Sequence, residues 1–549
     1  MQRICKITGK SFDVSDWELA LLNKFLYAIP TPTLSIEERH RRRLSYRNER
    51  KIYKDICALT GKPMVSVYSP DKPFKVYSQE AWWSDQWDSK SYGRDFDFNR
   101  PFFEQFRELQ LAVPHIGLIN VNGENSEFCN VTTGNKNCYL VFGGDYSQDS
   151  LYSVFSMKGV DNVDCYWCTS CELMYDCVDC HSSYSLRYSR GSVSCRNSAF
   201  LYECRNCEDC FGCVGLINKK HHIFNKPYSP EEYQRIVSQY DLLSWKSVQY
   251  LKSEFEKFRL QFPHRYARMV NAENCTGDFV TNAKNCQNCF GIDGPAEDCK
   301  DIFFGGWGIH DVLSCDHAGY KAELYYEMVG SIEGSRCAFC TFSWSSQDTY
   351  YCDMVVHSSN LFGCCNMKRA QYCILNKQYS KEEYETLVPR IVEHMKKTGE
   401  WGEFFPIQNS KFAYNETVAQ DYYPLTKEEA LAQGYQWLNE EKHDLANAPF
   451  IPDALSAVTD SILDSALVCE KTGRPYRIIL QELAFYRKMG VPIPHYAPET
   501  RNEMRIALRN PIQTWERNCV RCGKSIHTSY APEQPEIVYC EECYLGVVY

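Results

Sequence analysis

A chain of 549 residues is longer than one hydrophobic core organises, so roughly three to five domains are expected. Apolar residues make up 44%, enough for packed cores and too many for a disordered chain, and a formal charge of -10 excludes a surface coated throughout for nucleic acid while leaving room for a local basic patch. No apolar run spans a bilayer and no signal-peptide core follows Met1, so a cytoplasmic, reducing setting is expected, in which the 30 cysteines act as zinc ligands or small core residues rather than as a disulfide framework.

From the N-terminus, residues 1–92 read as a degenerate tandem zinc-ribbon-like domain. Cys5-x-x-Thr8-Gly has the form of a cysteine knuckle whose second cysteine has become threonine. Cys57 opens a second module in which Thr60, Ser78 and Ala81 stand at the other three ligand places. One thiolate cannot hold zinc, so this module must stand by packing alone. Between the knuckles run Arg39, Arg41, Arg42, Arg43, Arg47, Arg50 and Lys51, with Tyr46, Tyr53, Trp82 and Trp83 nearby. Such a stretch can bind RNA through phosphate contacts and base stacking. The commoner meaning of a charge run is a solvated helix face, here paired with Glu37, Glu38 and Glu49.

Residues 93–250 and 251–400 repeat one another. Phe103-Glu-Gln-Phe-Arg107 returns as Phe255-Glu-Lys-Phe-Arg259, and Asn225-Lys-Pro-Tyr-Ser-Pro-Glu-Glu-Tyr233 returns 151 residues later as Asn376-Lys-Gln-Tyr-Ser-Lys-Glu-Glu-Tyr384. Each unit reads as a helix, a cysteine-rich stretch and a second helix, with Ser229 and Ser380 heading capping boxes. His115 and His264 hold equivalent places after a proline, where capping or packing is expected of them.

The cysteine-rich stretches have a period of their own. In the first, all twelve cysteines from Cys129 to Cys213 fall at multiples of three, and Cys165, Cys180, Cys195 and Cys210 lie fifteen apart. Asp149, Asp164, Asp179 and Asp209 follow the same spacing. In the second, seven of eleven cysteines share one register of three. Neither the helical period of 3.6 nor the strand period of 2 produces this pattern. A short-coil β-solenoid does. Fifteen-residue coils would stack about 4.8 Å apart, and every third side chain would turn into a core narrow enough to admit only small residues such as Cys. The aspartates would sit at the corners and cap backbone N–H groups. Cys204, Cys207, Cys210 and Cys213 also look like the run of a metal-cluster or redox protein, holding iron–sulfur or zinc. Serine replaces cysteine freely within the columns, which favours packing, because serine fills the same space and ligates poorly.

Residues 401–464 form a predicted helical linker, with another capping box at Thr426-Lys-Glu-Glu429. Residues 465–549 then repeat the N-terminal domain at a constant offset of 462: Arg43 meets Arg505, Cys57 meets Cys519, and Val76-Tyr77 meets Val538-Tyr539. Cys469-x-x-Thr472-Gly is again degenerate. Cys519-x-x-Cys522 and Cys540-x-x-Cys543, seventeen residues apart, form a complete pair of knuckles suited to one tetrahedral zinc ion.

Arg47-Asn-Glu-Arg50, Tyr68-Ser-Pro-Asp-Lys-Pro-Phe74, Trp82-Trp83, Phe211-Gly-Cys213 and Tyr539-Cys-Glu-Glu-Cys-Tyr544 together resemble a family of cysteine-rich zinc-ribbon proteins of reduced-genome candidate-phylum bacteria. The resemblance runs through nearly the whole chain. It implies the zinc-ribbon architecture and no activity. Where that family carries CxxC and CPxCR in its first ribbon, this chain has Thr8, Ser35 and Glu38 at three of the four cysteines.

No phosphate-binding glycine loop, HExxH or nucleophile elbow occurs. The expected protein is therefore a mixed α/β multidomain, non-enzymatic scaffold with two solenoid units between terminal ribbon modules. Its expected cofactor is zinc and its expected partner a macromolecule, RNA or the ribosome among them. A redox protein built on the solenoid cysteines and an enzyme of unfamiliar type are the alternatives.

Overall fold

Along both cysteine-rich stretches the backbone turns at every third residue. Tyr152, Phe155, Asp161, Asp164, Trp167 and Ser170 all have φ between 51° and 57°. This left-handed region costs an L residue about 1 kcal/mol or more, so it persists here because ladder hydrogen bonds and inward packing outweigh it. The computed structural model describes residues 1–439 and 448–548; residues 440–447 of the predicted linker and Tyr549 lie outside the described residues.

Four such triplets close one coil. Cys165 pairs in parallel with Cys177, Glu172 with Tyr184, and Arg196 with Glu208. The ladder runs from Asn120–Thr132 to Phe211–Ile223 and ends in an antiparallel turn at Lys226–Pro227. The coil thus has twelve residues, which corrects the fifteen read from the cysteine columns. Twelve and fifteen are both multiples of three and keep a side chain inside; backbone pairing alone separates them. The corner aspartates are corrected in part. Asp149, Asp164, Asp179 and Asp209 do have positive φ, but Asp164 and Asp179 spend their carboxylates on Arg505 and Arg509.

The second solenoid contains coils one residue longer. Ala283 pairs with Ala296, Ala296 with Ile309 and Gly306 with Gly319, before twelve-residue spacing resumes at Ala322–Gly334. Each insertion moves the inward register by one, and three restore it. Cys299 and Cys315 therefore fall out of the register that Cys286, Cys289, Cys337 and Cys340 share, yet all are buried in the same core. Its last parallel strand pairs Cys373 with Leu361, and an antiparallel strand at Lys377–Gln378 ends the sheet.

The core chemistry explains why Cys and Ser interchange. An inward thiol donates to the carbonyl two residues before it or nine after it: Cys204 reaches Tyr202 O at 3.6 Å and Cys213 O at 3.4 Å. A serine makes the first bond and also accepts the N–H twelve residues on, as Ser153 does from Cys165 at 3.2 Å. Burial pushes the Cys138 thiol up to about 11 and the Cys171 thiol up to about 12, so these two stay protonated donors. Cys195→Ser should accordingly shift stability by no more than about 1 kcal/mol, since the new hydroxyl keeps Val193 O as acceptor. Urea midpoints of the two proteins check this; a loss above about 3 kcal/mol would show that the thiol volume itself is required.

The terminal segments dock crosswise. The helix Ile36–Leu44 of the N-terminal domain packs on the strand Ile309–Tyr326 of the second solenoid, and its counterpart Pro498–Ile506 packs on Val160–Tyr166 and Glu172–Val178 of the first. Each terminal domain also adds a strand near the start of its neighbouring unit: Val76 pairs with His115, and Val538 with His264. The solenoids meet through reciprocal contacts, Phe155 on Phe304 with centroids 5.1 Å apart, Trp167 on Phe304 at 4.4 Å and Phe155 on His317 at 5.2 Å. Trp167 lies one coil after Phe155, and His317 one coil after Phe304. Such reciprocity is the mark of a two-fold interface, here within one chain. No helix among the described residues is long and apolar enough to cross a membrane.

Candidate metal centre and other predicted sites

The C-terminal module is built on a hairpin, Trp515–Asn518 with Ser525–Thr528, followed by the strand Ile537–Tyr539 and the helix Glu541–Val548. Cys519 and Cys522 lie on the hairpin turn; Cys540 ends the strand and Cys543 sits in the first helical turn. The four sulfurs all lie within 4.8 Å of one another, and Cys522 and Cys540 are 3.7 Å apart. Tetrahedral zinc with bonds near 2.3 Å holds its sulfurs about 3.8 Å apart, so the donor set fits that ion in number, type and reach. Burial alone would push the Cys519 thiol up; N–H groups of Cys540, Cys522 and Arg521 directed at its sulfur outweigh this and bring it down to about 6. Ile526, Tyr530 and Val538 are the other buried residues of this small cluster, too few to hold the module by themselves.

Three further hairpins share the knuckle geometry. In each, the cysteine N–H bonds the carbonyl five residues on and a glycine N–H returns to the cysteine carbonyl: Cys5 with Lys10 and Gly9, Cys57 with Lys62 and Gly61, Cys469 with Arg474 and Gly473, and Cys519 with Lys524 and Gly523. The four glycines have φ between 69° and 75°, a conformation glycine enters without strain. Substitutes stand where ligands are missing. The Ser78 N–H reaches Cys57 Sγ at 3.3 Å and Cys469 Sγ donates to Thr500 Oγ1 at 3.6 Å. Burial raises the Cys5 thiol, but the Ser35 N–H and the Thr8 hydroxyl bring it down to about 7. Ser35 was legible as a lost ligand place; Thr500 was not.

The basic stretch is not a free face. Arg43 is 0% exposed, with Nε 2.6 Å from Asp316 and Nη1 2.7 Å from Glu327. Arg39, also buried, lies 2.9 Å from Glu327, and buried Arg47 pairs with Glu49. These three are out of reach of a phosphate, which corrects the RNA-facing reading for them. They were equally misread as a solvated helix face. Of the half-buried ones, Arg41 pairs with Glu38, Arg42 approaches Glu403 at 3.7 Å and Arg50 grips Asp421 through two bonds of 2.7 and 2.6 Å. Lys51 lies half-buried past the end of the helix. The duplicate stretch behaves alike: Arg505 is 2.9 Å from Asp164, and Arg501 is 3.4 Å from Glu482. The sequence showed cations without the acidic corners that receive them.

Cys204, Cys207, Cys210 and Cys213 are buried on successive sides of one coil and bond to carbonyls nine residues ahead. Among the described residues they do not form a group of three or more ligand atoms in mutual reach. All 30 cysteines are unbridged.

One cluster had little sequence signal. His115, Asp353 and Cys365 bring their ligand atoms within 4.8 Å, all buried. Lys411 lies 3.0 Å from Asp353, and His115 Nε2 meets Gln110 O at 2.8 Å. Lys411 already occupies the cationic place beside Asp353, so the group reads as a satisfied ionic core. Cys365, out of triplet register beside Cys364, was the trace it left in the sequence. In the other half, His264 faces Tyr202 at 5.3 Å instead.

No family model and no curated protein matches this chain. Among solved structures, a protein described as an acetyltransferase of Desulfovibrio desulfuricans G20 aligns at 9% identity over 48% of this chain and 68% of that one, with a TM-score of 0.12. A likeness this slight carries no argument about fold or activity.

Proposed function

We propose that this chain is a non-enzymatic binding scaffold, two solenoids held together by cross-docked, arginine-rich terminal modules, with one structural zinc ion at Cys519, Cys522, Cys540 and Cys543. The observation that carries this reading is the contrast among the four hairpins. Three persist with one cysteine and hydrogen-bonded substitutes, so the module serves as a structural part, and the fourth keeps a full thiolate set beside a core whose other buried residues are Ile526, Tyr530 and Val538. Four soft sulfurs at tetrahedral reach favour zinc over hard cations. The many unbridged thiols fit a reducing cytoplasm. The likeness to candidate-phylum zinc-ribbon proteins is compatible with these features. A macromolecular partner such as RNA would be met by the exposed hairpin-tip lysines Lys10, Lys62 and Lys524 rather than by Arg39, Arg43 and Arg47.

Metal analysis of purified protein should find about one zinc per chain, lost in Cys540→Ser. Proteolysis should then cut within 515–548 while circular dichroism of the solenoids persists, because the zinc supplies most of the folding free energy of so small a module. Native protein without bound metal would overturn the reading. Nucleic-acid absorbance that survives Ala replacement of Lys10, Lys62 and Lys524 would remove those lysines from it.

A further inference from the structure

The helix Trp245–Arg259 and the docked helix Pro498–Ile506 do not close fully on the first solenoid. They leave a cavity of about 270 Å³. Its solenoid wall is a row of corner aromatics, Tyr175, Tyr188 and Phe200, with Tyr188 and Phe200 stacked at 5.0 Å and inclined by 26°; Phe255 and Trp245 face them from the helix. Exposed Ser253 and Leu508 stand at its rim.

The corresponding place in the second half is filled. Tyr326, Phe339 and Tyr351 lie 151 residues after Tyr175, Tyr188 and Phe200. There Trp401 packs on Phe339 at 6.5 Å and on Tyr351 at 5.8 Å, and Phe405 on Tyr351 at 6.1 Å. The solenoid face therefore tolerates a covering of rings, and the first half leaves that space open.

The polar groups define what would enter. Asp164 is matched by Arg505, Asp176 by Lys252 and Glu256 by Arg190, and the remaining lining cation, Arg501, is held by Glu482 behind the wall, so every cation that lines the space already has an acidic partner. Besides Asp164 Oδ1 and the Nε atoms of Arg501 and Arg505, which belong to these ion-paired side chains, two neutral lining groups are left over. Tyr188 is 8% exposed and its hydroxyl has no hydrogen-bond partner; the Gln249 amide nitrogen has none either. Buried polar groups without partners are rare in folded proteins, and here both line the same cavity. A cavity of roughly 150 Å³ accepts one benzene ring, so the present one has room for two fused rings.

We propose that this cavity binds a neutral, planar, two-ring heteroaromatic molecule of the purine class, its rings among Phe200, Phe255 and Trp245 and its polar edge on the Tyr188 hydroxyl and the Gln249 amide. The proposal stands independently of the metal centre. Calorimetry on the full-length protein with adenine, adenosine, AMP and indole tests it. Adenine should bind one per chain. AMP should bind at least tenfold more weakly, because no unpaired cation receives its phosphate. Indole, which lacks the acceptor edge, should also bind more weakly than adenine. Tyr188→Phe should weaken adenine about fivefold, the worth of one hydrogen bond, and Ser253→Phe, at the exposed rim, should block entry with thermal stability retained. Gln249→Leu, at a half-buried helix position, repeats the test should Tyr188→Phe fail to fold. No heat with adenine at millimolar concentration would overturn the proposal, as would AMP binding equal to adenine or affinity indifferent to all three substitutions.

Discussion

Arg505→Ala is expected to cost about 3–5 kcal/mol of stability, the range for removing one partner of a buried ion pair. Arg505 is 2% exposed and Asp164 1%. The guanidinium Nη1 lies 2.9 Å from Asp164 and 3.8 Å from Asp176, and its loss leaves the water-excluded Asp164 carboxylate with only the longer contact to Arg501, at 3.4 Å. Arg43→Ala should act alike in the other half, where Asp316 and Glu327 would be left. The helix carrying each arginine belongs to one end of the chain and its acids to the distant solenoid, so the same substitutions should loosen the terminal domains. Denaturant midpoints measure the cost. Arg505→Met combined with Asp164→Asn should recover much of it, because the penalty is uncompensated charge rather than lost attraction. A cost below about 1 kcal/mol for Arg505→Ala would show that the acids find water or a proton.

Acidification is expected to destabilise the protein well before its carboxylates titrate. His115 is held down to about 3 by burial first and then by Lys411, against the opposing pull of Asp353. His264 is held at about 3 by burial and by Arg259, Arg268 and Arg190. Unfolded histidine takes up its proton near pH 6.5. Between about pH 6.5 and 3 the unfolded chain thus binds more protons than the folded one, and stability falls as pH falls, by roughly 1.4 kcal/mol per pH unit for each histidine. Above pH 6.5 these two groups make no difference. Urea midpoints taken from pH 8 to pH 5 should be flat and then fall; burial holds His181 and His317 down as well, so His264→Gln should reduce the slope without abolishing it. A midpoint independent of pH over that range would mean that both rings protonate in the folded state.

Much of the architecture could be read from residue spacing. The triplet period named the solenoid because inward pointing is a local property: one residue in three turns left-handed and the next faces the core. The offset of 462 named the terminal duplication, and the four hairpins do share one knuckle. Coil length could not be read in this way. Cys165 stacks on Cys177, and the columns of Cys165 and Cys180 were equally consistent with the side-chain pattern. Ladder hydrogen bonds are made by backbone, which carries no side-chain period.

The four-cysteine centre was legible because its ligands come as two local pairs, one on a hairpin turn and one where a strand passes into a helix. The basic stretch was not, because its meaning depends on residues about 275 positions away: Arg43 on Asp316, with the same relation at Arg505 and Asp164 across the chain. Lys411 beside Asp353, and the cavity beneath Trp245, are of the same kind. By itself the sequence determined what repeats, which residues point inward and where a metal can sit, since each follows from contacts within a few residues. The crossed docking of the two ends, the burial of their arginines and the space left open in one half were decided by tertiary structure, because they depend on which distant surfaces exclude water from one another.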